Sequence, residues 1–512
     1  MPGMGISELP IPDGLVLRPF RGVRFAVDDP AKVTSPPYDL ISNGDAHTLL
    51  DSHPNNVVRL ILPAPPPSDA PIEHVRQLPE APQPTDATNT DTTPNRPQGS
   101  APSPSRYSEA RNTLLAWLKS GVLVRDEQPA LYVYEQRGQD VLQRGLIGDV
   151  GLTDPAQRII LPHEDVLPGP ITDRLALMST TQANLEPIFL LYNGDHGAAT
   201  TLVDEVAATR PPLITAHTED DLTHRLWCIT DQAEIDAINA DLHPRQALIA
   251  DGHHRYATYR VLQRQQHLTQ TTAASAEPQP TTAPPTAAQP TTAPPAPAEQ
   301  TIPPASEDTP RTDALKPGPS RRESSPWDFG LALLVDSTTY APNLQAIHRV
   351  IPDLPLEEAV ARARGSWRVH DHGDLEHGLA ALGAVGEPAF LLAGEEGVHL
   401  ITDPDPVQLA LAMPADHSDR WNSLNTSILT EFVLPKVWGL EDNEQTVRIV
   451  HHDAQAAARL AITTGGTAVI LKPLAMNDVL AVAAGGERVP RKSTSFGPKP
   501  RTGLVLRTFA TD

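Results

Sequence analysis

The residues best suited to chemistry form one short run, Asp251-Gly252-His253-His254-Arg255, which places a carboxylate, two imidazoles and a guanidinium within one turn. The mainly apolar residues 246–250 predict a buried strand before it, and residues 256–265 predict a helix after it. The N–H groups of a first helical turn and the helix dipole both favour a bound anion. Because Arg255 can add a bidentate phosphate contact, the run predicts a phosphate-binding loop. The alternative is that Asp251 only caps the helix and that the histidines are exposed.

A second candidate group is the neighbouring pair His163-Glu164, which follows the apolar residues Ile159 and Ile160. This is where a strand would end, and active groups often lie at such ends. Glu164 can serve as a general base if burial raises its pKa above the usual value of about 4.3. The alternative is that Glu164 forms a surface ion pair with Arg174.

A third group is the basic run 488–501, which stands out in an acidic chain. Its charges and hydroxyl groups suit a loop that wraps an anion, although its order of glycine and lysine differs from that of a Walker loop. A strand predicted at 503–506 would tie this loop to the core. The candidate contacts in the run are Lys492, Ser493, Thr494 and Lys499.

The N-terminal region supplies a fourth group. The run Arg18-Pro19-Phe20-Arg21-Gly22-Val23-Arg24 precedes Ser35-Pro36-Pro37-Tyr38-Asp39, whose prolines indicate a rigid loop. We expect Asp39 and the last arginine of the first run to line one cleft. Residues 370–372 and 451–453 are rich in histidine, but they lack the helical His-x-x-x-His spacing of a zinc site and are interpreted as surface histidines.

The composition limits the classes of partner. The chain has 512 residues, 55 prolines, an aromatic fraction of 4% and a formal net charge of -23. The backbone of a nucleic acid would be repelled by this charge, so we expect no nucleic-acid partner. The one cysteine, Cys228, lies in an apolar run and predicts a buried structural thiol. With neither a signal peptide nor an apolar run long enough to span a bilayer, the sequence predicts a cytoplasmic protein without a membrane partner.

The remaining pattern alternates strands and helices, which indicates a mixed α/β (α+β) fold in two lobes. We expect a first lobe from residues 1–62 and 107–268 and a second α/β lobe from residues 327–512 that contributes the basic loop. The Pro-rich segments 63–106 and 269–326 lack periodic apolar residues, so both are predicted to be disordered insertions. A helix is predicted at 107–120, and strands are predicted at 56–62, 130–136, 144–150, 188–192, 329–335, 389–393 and 468–472.

Taken together, these segments resemble a bacterial and archaeal family known as domain of unknown function 1015. The similar segments keep one order along nearly the whole ordered chain, and the Pro-rich segments touch none of them. Ser495 and Gly497 stand where that family is expected to have aromatic residues, which would loosen packing around the basic loop. The matching segments are residues 18–22, 35–39, 56–60, 161–164, 251–256 and 492–499.

The loop at 251–255 is also similar to the phosphate loop of the wider ParB and sulfiredoxin-like superfamily, which includes free-serine kinases. The resemblance implies a ParB/sulfiredoxin-like N-terminal lobe that transfers a phosphoryl group to the hydroxyl of L-serine. The implied donor is ATP, ADP or pyrophosphate, and the implied cofactor is Mg²⁺.

The resemblance also implies a role for each site residue. Glu164, paired with His163, would deprotonate the acceptor, and Asp251 would position Mg²⁺ or the substrate. The loop residues Gly252, His253, His254 and Arg255 would hold the donor phosphates, and the basic loop would close over them from the second lobe. The residues assigned to the substrate are Asp39 and Arg174.

Two other functions stay open. The protein can instead be a non-catalytic regulator that binds a nucleotide or a phosphorylated metabolite without turnover. It can also be a metal-dependent hydrolase that uses His163, Glu164, Asp251 and His253. The sequence leaves the phosphate donor, the acceptor and the oligomeric state undetermined.

Overall fold

The computed structural model describes residues 12–63, 106–276 and 324–510. The strands are β1 (Leu17–Arg18), β2 (Val23–Phe25), β3 (Leu123–Arg125), β4 (Leu131–Arg137), β5 (Leu142–Gly151), β6 (Ile160–Leu161), β7 (Ala183–Asn184), β8 (Ile188–Tyr192), β9 (Ile214–His217), β10 (Thr223–Ile229), β11 (Ala247–Asp251), β12 (Phe329–Asp336), β13 (Asn343–Gln345), β14 (Ile347–Ile351), β15 (Arg368–His372), β16 (Phe390–Gly394), β17 (Gly397–Thr402), β18 (Arg448–His451), β19 (Thr467–Ile470), β20 (Ser495–Gly497) and β21 (Arg507–Thr508).

The helices alternate with these strands over much of the chain, so the predicted mixed α/β class is confirmed. They are α1 (Asn43–Ser52), α2 (Val58–Ile61), α3 (Arg106–Ser120), α4 (Pro168–Thr181), α5 (Ala198–Thr209), α6 (Gln232–Leu242), α7 (His253–Ala276), α8 (Leu356–Ala363), α9 (Leu375–Ala384), α10 (Pro406–Ala412), α11 (Asp419–Asn422), α12 (Asn425–Ile428), α13 (Ala454–Thr464) and α14 (Met476–Gly485), with a π-helix at Leu429–Trp438.

The larger sheet has the strand order β6-β11-β8-β12-β5-β4-β10-β9, with β1 paired to β5. Strands β11 and β6 are parallel, as are β12 and β8, and the other neighbours are antiparallel. Strand β11 therefore lies one position from the edge of the sheet. Its last residue, Asp251, begins the candidate phosphate loop.

Both faces of this sheet are covered, as the fully buried pattern of β8 requires. Because successive side chains of a strand point to opposite faces, Ile188 and Leu190 pack on one side with residues of α4, α5, α6 and α7. Phe189 and Leu191 pack on the other side with residues of α11 and α14 and with Phe496. The second face therefore brings the C-terminal part of the chain against the strands that carry the loop.

The smaller sheet has the order β15-β17-β16-β19-β14-β18 and is antiparallel throughout. One face packs against α8 and the π-helix, and the other packs against α9 and α13. This sheet is built within the predicted second lobe. Strand β12, however, follows the predicted boundary at residue 327 and pairs with β5 and β8 of the larger sheet.

Two of the predicted strands are wrong. Residues 58–61 form helix α2, because the Asn56 Oδ1 accepts the Val58 N–H at 3.0 Å and starts a turn whose apolar side chains are buried. A short apolar run does not by itself distinguish a buried strand from a buried helix. Residues 503–505 form a turn that begins at Gly503, where φ is 97°, and this turn separates the paired residues Thr502 and Leu506.

The other predicted elements are confirmed, at 107–120, 130–136, 144–150, 188–192, 329–335, 389–393 and 468–472, with ends that differ by a few residues. Cys228 lies in β10 and is partly buried, less than the buried thiol that the sequence predicts. Within the part of the chain that the structure describes, no helix combines the length and the apolar character that crossing a bilayer requires.

The predicted disordered insertions lie almost entirely outside the described residues. The second one overlaps the described residues at its start, where α7 continues to Ala276 instead of ending before residue 269. The middle of α7 forms hydrogen bonds with Asp328, which directly precedes β12. The Asp328 Oδ1 accepts from the Gln263 Nε2 at 2.9 Å and lies 2.6 Å from the His267 Nε2. The middle of α7 and the residues before β12 therefore share a buried contact.

The packing of β12 into the larger sheet can be tested at Gly145. A Cβ atom at this position would lie 2.2 Å from the backbone oxygen of Leu334 in β12. We expect Gly145→Ala to lower the free energy of unfolding by about 1–3 kcal/mol, because the strands must separate to admit the methyl group. Urea unfolding measures the change. The matched control is Gly169→Ala in α4, where a Cβ meets nothing within 4 Å, and equal stability of the two variants would contradict the pairing.

Candidate functional site

The loop at 251–255 is the strand-to-helix turn that the sequence predicts. Asp251 ends β11 and His253 begins α7. Between them, Gly252 has a φ of 92°, which lies in the left-handed region that favours glycine. A Cβ there would also lie 2.9 Å from the Ile188 Cγ2. The turn therefore needs glycine both for its backbone conformation and for its close approach to β8.

Lys499 brings the first and the last parts of the chain to this loop. Its Nζ lies 2.6 Å from the Asp251 Oδ1 and 2.6 Å from the Asp39 Oδ2. Desolvation lowers the pKa of Lys499, but the charges of Asp251 and Asp39 more than offset it, so its pKa lies above the usual value. Lys499 therefore remains an ammonium ion. The structure brings together three of the residues predicted for the site.

The side chain of Arg255 is buried, and it contacts other groups of the protein. It forms an ion pair with the Asp251 Oδ2 and donates from Nη1 to the carbonyl oxygen of Pro187 at 2.6 Å. Its side chain is 4% exposed. The guanidinium group therefore stabilises the loop through buried contacts, so it is not exposed for binding a ligand.

The two histidines of the loop join it to the segment that carries Glu164. The Nε2 of His253 accepts the backbone N–H of His163 at 3.2 Å, and the Nε2 of His254 accepts that of Leu167 at 2.9 Å. An accepting nitrogen must be unprotonated. Burial lowers the pKa of both His253 and His254, which keeps the rings neutral. The sequence-based alternative of exposed histidines is therefore wrong for His253, which is buried.

Glu164 is held by the basic loop and is only partly buried. Its Oε1 accepts from the Thr494 Oγ1 at 3.0 Å, and the same hydroxyl lies 2.8 Å from the His163 Nε2. Burial raises the pKa of Glu164 despite the opposing charge of Lys492. Burial also lowers the pKa of His163 to about 3. Thr494, itself in contact with His163, thus fixes the position of a carboxylate whose pKa is raised.

The basic loop is supported by an arginine that the sequence analysis missed. Arg349, in the middle of β14, is buried and donates from Nη2 to the carbonyl oxygens of Arg491 at 3.0 Å and Lys492 at 2.9 Å. Burial lowers its pKa to about 10. Ser493 is also buried and donates to the carbonyl oxygen of Pro490 at 2.6 Å. An arginine between the apolar residues at the ends of β14, Ile347 and Ile351, is the signal that the sequence offers.

These contacts leave Lys492 as the exposed cation of the basic loop. Its φ is 55°, an unusual value for a residue with a side chain. The Arg349 contacts to the carbonyl oxygens on both sides of this position stabilise the turn. A strained backbone conformation of this kind often occurs at functional sites.

Arg174 lies beside the cleft but is fully engaged. It pairs with Asp173, donates to the carbonyl oxygen of Ile61 at 2.8 Å and lies over the ring of Tyr38 at 4.4 Å from its centroid. The predicted alternative of a Glu164–Arg174 ion pair is not found. A buried carboxylate that the sequence analysis missed, Glu186, accepts the Tyr38 N–H at 3.0 Å. Arg174 and Glu186 therefore position the loop that presents Asp39.

The arrangement does not fit a Mg²⁺ ion held by Asp251. Both oxygens of that carboxylate form ion pairs, whereas Mg²⁺ needs oxygen ligands in an octahedral geometry. The Nε2 atoms of His163 and His253 are also engaged. Among the described residues, no group of three or more His, Cys, Asp or Glu side chains has the arrangement of a metal site. The geometry therefore gives no support to the metal-dependent hydrolase.

Comparison with known proteins gives a family match and distant structural similarity. The profile described as "Protein of unknown function (DUF1015)" matches residues 17–81 and 86–283. No curated protein sequence matches the chain. A solved structure of a free serine kinase in complex with AMP is 13% identical, with a TM-score of 0.30 over 72% of this chain and 94% of that chain.

Two other solved structures show similarity at the same level. SbnI with a C-terminal truncation, from Staphylococcus aureus, is 10% identical, with a TM-score of 0.31 over 70% of this chain and 87% of that chain. A conserved hypothetical protein from Pyrococcus furiosus is 12% identical, with a TM-score of 0.29 over 70% of this chain and 93% of that chain.

The neutral state of His254 makes a testable contribution to stability. Because its pKa is lower in the folded than in the unfolded protein, its contribution is complete above the unfolded value of 6.5 and is lost as the pH falls towards the folded value. His254→Gln can still accept the Leu167 N–H but does not titrate. We expect this variant to lose less stability than the wild type between about pH 8 and pH 5, measured by urea unfolding.

The matched control for this experiment is His377→Gln. His377 is exposed, and its hydrogen bond and charge interaction with Asp374 raise its pKa, which is the opposite direction. Its removal should leave the pH dependence unchanged or make it slightly steeper. An unchanged pH dependence in His254→Gln would contradict the role of its Nε2 as an acceptor.

Proposed function

This chain belongs to the DUF1015 family, whose members are described as proteins of unknown function, and we propose that it is a small-molecule phosphotransferase, most like a free L-serine kinase. One observation supports this above the others. A partly exposed carboxylate, Glu164, shares a cleft with the cation Lys492 and with the start of helix α7. A general base, an exposed positive charge and an anion site are the elements that phosphoryl transfer requires.

Glu164 is the proposed base. In the transfer, the proton of the acceptor hydroxyl passes to the Glu164 carboxylate, and a bond forms between the acceptor oxygen and the phosphorus. The bond from that phosphorus to the bridging oxygen of the donor breaks, and the donor leaves with the electron pair. The Thr494 hydroxyl holds Glu164 at 3.0 Å, which fixes the carboxylate for this step.

The donor phosphates are assigned to the first turn of α7 and to Lys492. The N–H groups of that turn have no acceptor within the helix, and the dipole adds positive potential there. Lys492 is exposed, whereas Lys499 is shared between two carboxylates. Lys492 is therefore the better placed of the two lysines to neutralise phosphate charge. The donor is a nucleotide or pyrophosphate.

Asp39 is assigned to the acceptor. An amino acid such as L-serine carries an ammonium group, which a carboxylate can pair with. The Asp39 side chain is 35% exposed at the cleft, and Lys499 holds it in place. Arg174, the other residue predicted to contact the substrate, is buried against Asp173 and Tyr38. Its proposed contribution is to position the Asp39 loop.

The activity and the base can be tested together. We expect the full chain to form phosphoserine from L-serine with ATP, ADP or pyrophosphate, as measured by mass spectrometry of the product. Glu164→Gln should reduce kcat by about 10²- to 10⁴-fold, because the variant cannot accept a proton. The control is Asp165→Asn, which removes the neighbouring carboxylate, 90% exposed, and should retain the wild-type rate.

Each outcome of this assay has a clear meaning. No phosphoserine with any donor would contradict the serine kinase. Full activity in Glu164→Gln would remove Glu164 as the base while leaving phosphoryl transfer intact. Nucleotide binding measured by calorimetry, without turnover of serine, would favour the regulatory protein.

The pH dependence of the rate provides a second test. A carboxylate base works only when ionised, so kcat/KM should rise with pH through the raised pKa of Glu164. Lys492 lowers that pKa, so Lys492→Met should move the acidic limb of the profile to higher pH. Lys119→Met, at an exposed position of α3, serves as the control. If the acidic limb of the pH profile does not move in Lys492→Met, Lys492 does not influence the pKa of Glu164.

A further inference from the structure

The histidine pair at 451–452 lies beside the basic loop. His451 ends β18, an edge strand of the smaller sheet that pairs with β14. In this antiparallel pair His451 lies opposite Ile347, and Arg349 lies two residues further along β14. Directly opposite residues point to the same face of a sheet, as do residues two positions apart on one strand. The side chains of His451 and Arg349 therefore project from the same face.

This face is the one from which the basic loop is held. Arg349 donates to the carbonyl oxygens of Arg491 and Lys492 at 3.0 Å and 2.9 Å. His451 is the diagonal neighbour of Arg349 across the strand pair, and diagonal neighbours are about 7–8 Å apart. The His451 ring therefore lies beside the turn that presents the exposed side chain of Lys492.

The two histidines of the pair differ in their contacts. The backbone N–H of His452 donates to the carbonyl oxygen of Ala346 at 3.1 Å, and its Nε2 lies 3.4 Å from the Ser495 Oγ. The side chain of His451 is exposed, as the sequence predicts, and none of the described residues forms a hydrogen bond with its ring nitrogens. Both nitrogens of His451 are therefore available to a ligand.

The electrostatic surroundings of His451 favour an anion. Partial desolvation and the positive charge of Lys492 lower the pKa of His451 to about 4. Three further neighbours act in the same direction, namely His452, Lys499 and Arg349. The ring is therefore neutral near pH 7, and a neutral imidazole carries one N–H donor and one acceptor nitrogen. Its N–H group can donate to an oxygen of an anion that the neighbouring cations attract.

We propose that His451 is a further binding residue for the phosphate donor, and that its ring N–H donates to the phosphate group that Lys492 neutralises. This contact rests on the proposed function, which assigns the donor phosphates to Lys492 and to the first turn of α7. The donor is then held from both sheets, because α7 follows β11 of the larger sheet and His451 ends β18 of the smaller one.

Calorimetric titration of the full chain with pyrophosphate and with ADP tests this contact. His451→Phe keeps an aromatic ring but has no N–H group. It should weaken the binding of both ligands by about 10- to 100-fold, as expected for the loss of one hydrogen bond to a charged group. His451→Gln restores a donor and should recover most of the affinity. The matched control is His377→Phe, at an exposed position of α9, which should bind as the wild type does.

The outcomes separate this contact from the proposed transfer. A loss of affinity in His451→Phe that His451→Gln recovers supports the contact even if no phosphoserine forms. If the wild type binds neither ligand, the proposed donor site fails and the contact fails with it. If the wild type binds and His451→Phe binds equally well, the contact alone is overturned. It is also overturned if both variants lose the same affinity, or if urea unfolding shows that both are destabilised, because the ring would then act through packing.

Discussion

The ammonium group of Lys499 connects parts of the chain that are far apart in sequence, and the geometry of the cleft depends on it. It lies 2.6 Å from Asp39 in the N-terminal loop and 2.6 Å from Asp251 at the end of β11. Without this cation, the like charges of the two carboxylates would repel each other across the cleft. The ion pairs of Lys499 therefore define the distance between the phosphate loop and the loop proposed to hold the acceptor.

The groups around this cation are arranged so that buried charge is compensated. Arg255 faces Asp251, and the two loop histidines remain neutral while they accept backbone N–H groups. Such pairing matters because a buried charge without a partner costs several kcal/mol. Glu164 differs from these residues, since burial raises its pKa and a hydroxyl group is its bonded partner. The pKa of Asp39, in contrast, lies below its usual value, because the charges of Lys499 and Arg255 outweigh its desolvation.

The local structure of the site could be predicted from the sequence, but its long-range contacts could not. The strand, the glycine turn and the helix at 247–276 follow from apolar patterning and from the conformational freedom of Gly252. The same reasoning predicted phosphate contacts for His253, because the pattern does not show that the backbone of His163 lies within reach of its ring. Arg349 was missed for the same reason. Its partners are carbonyl groups on a distant loop, and only the packing of β14 brings them together.

The contact between α7 and Asp328 has a consequence for how the chain can vary. Gln263 and His267 hold Asp328, so the helix that starts at the phosphate loop and the strand that enters the larger sheet are fastened to each other directly. The free energy of closing a loop grows only with the logarithm of its length. The entropy of closing the connection between these two anchors therefore depends only weakly on its length.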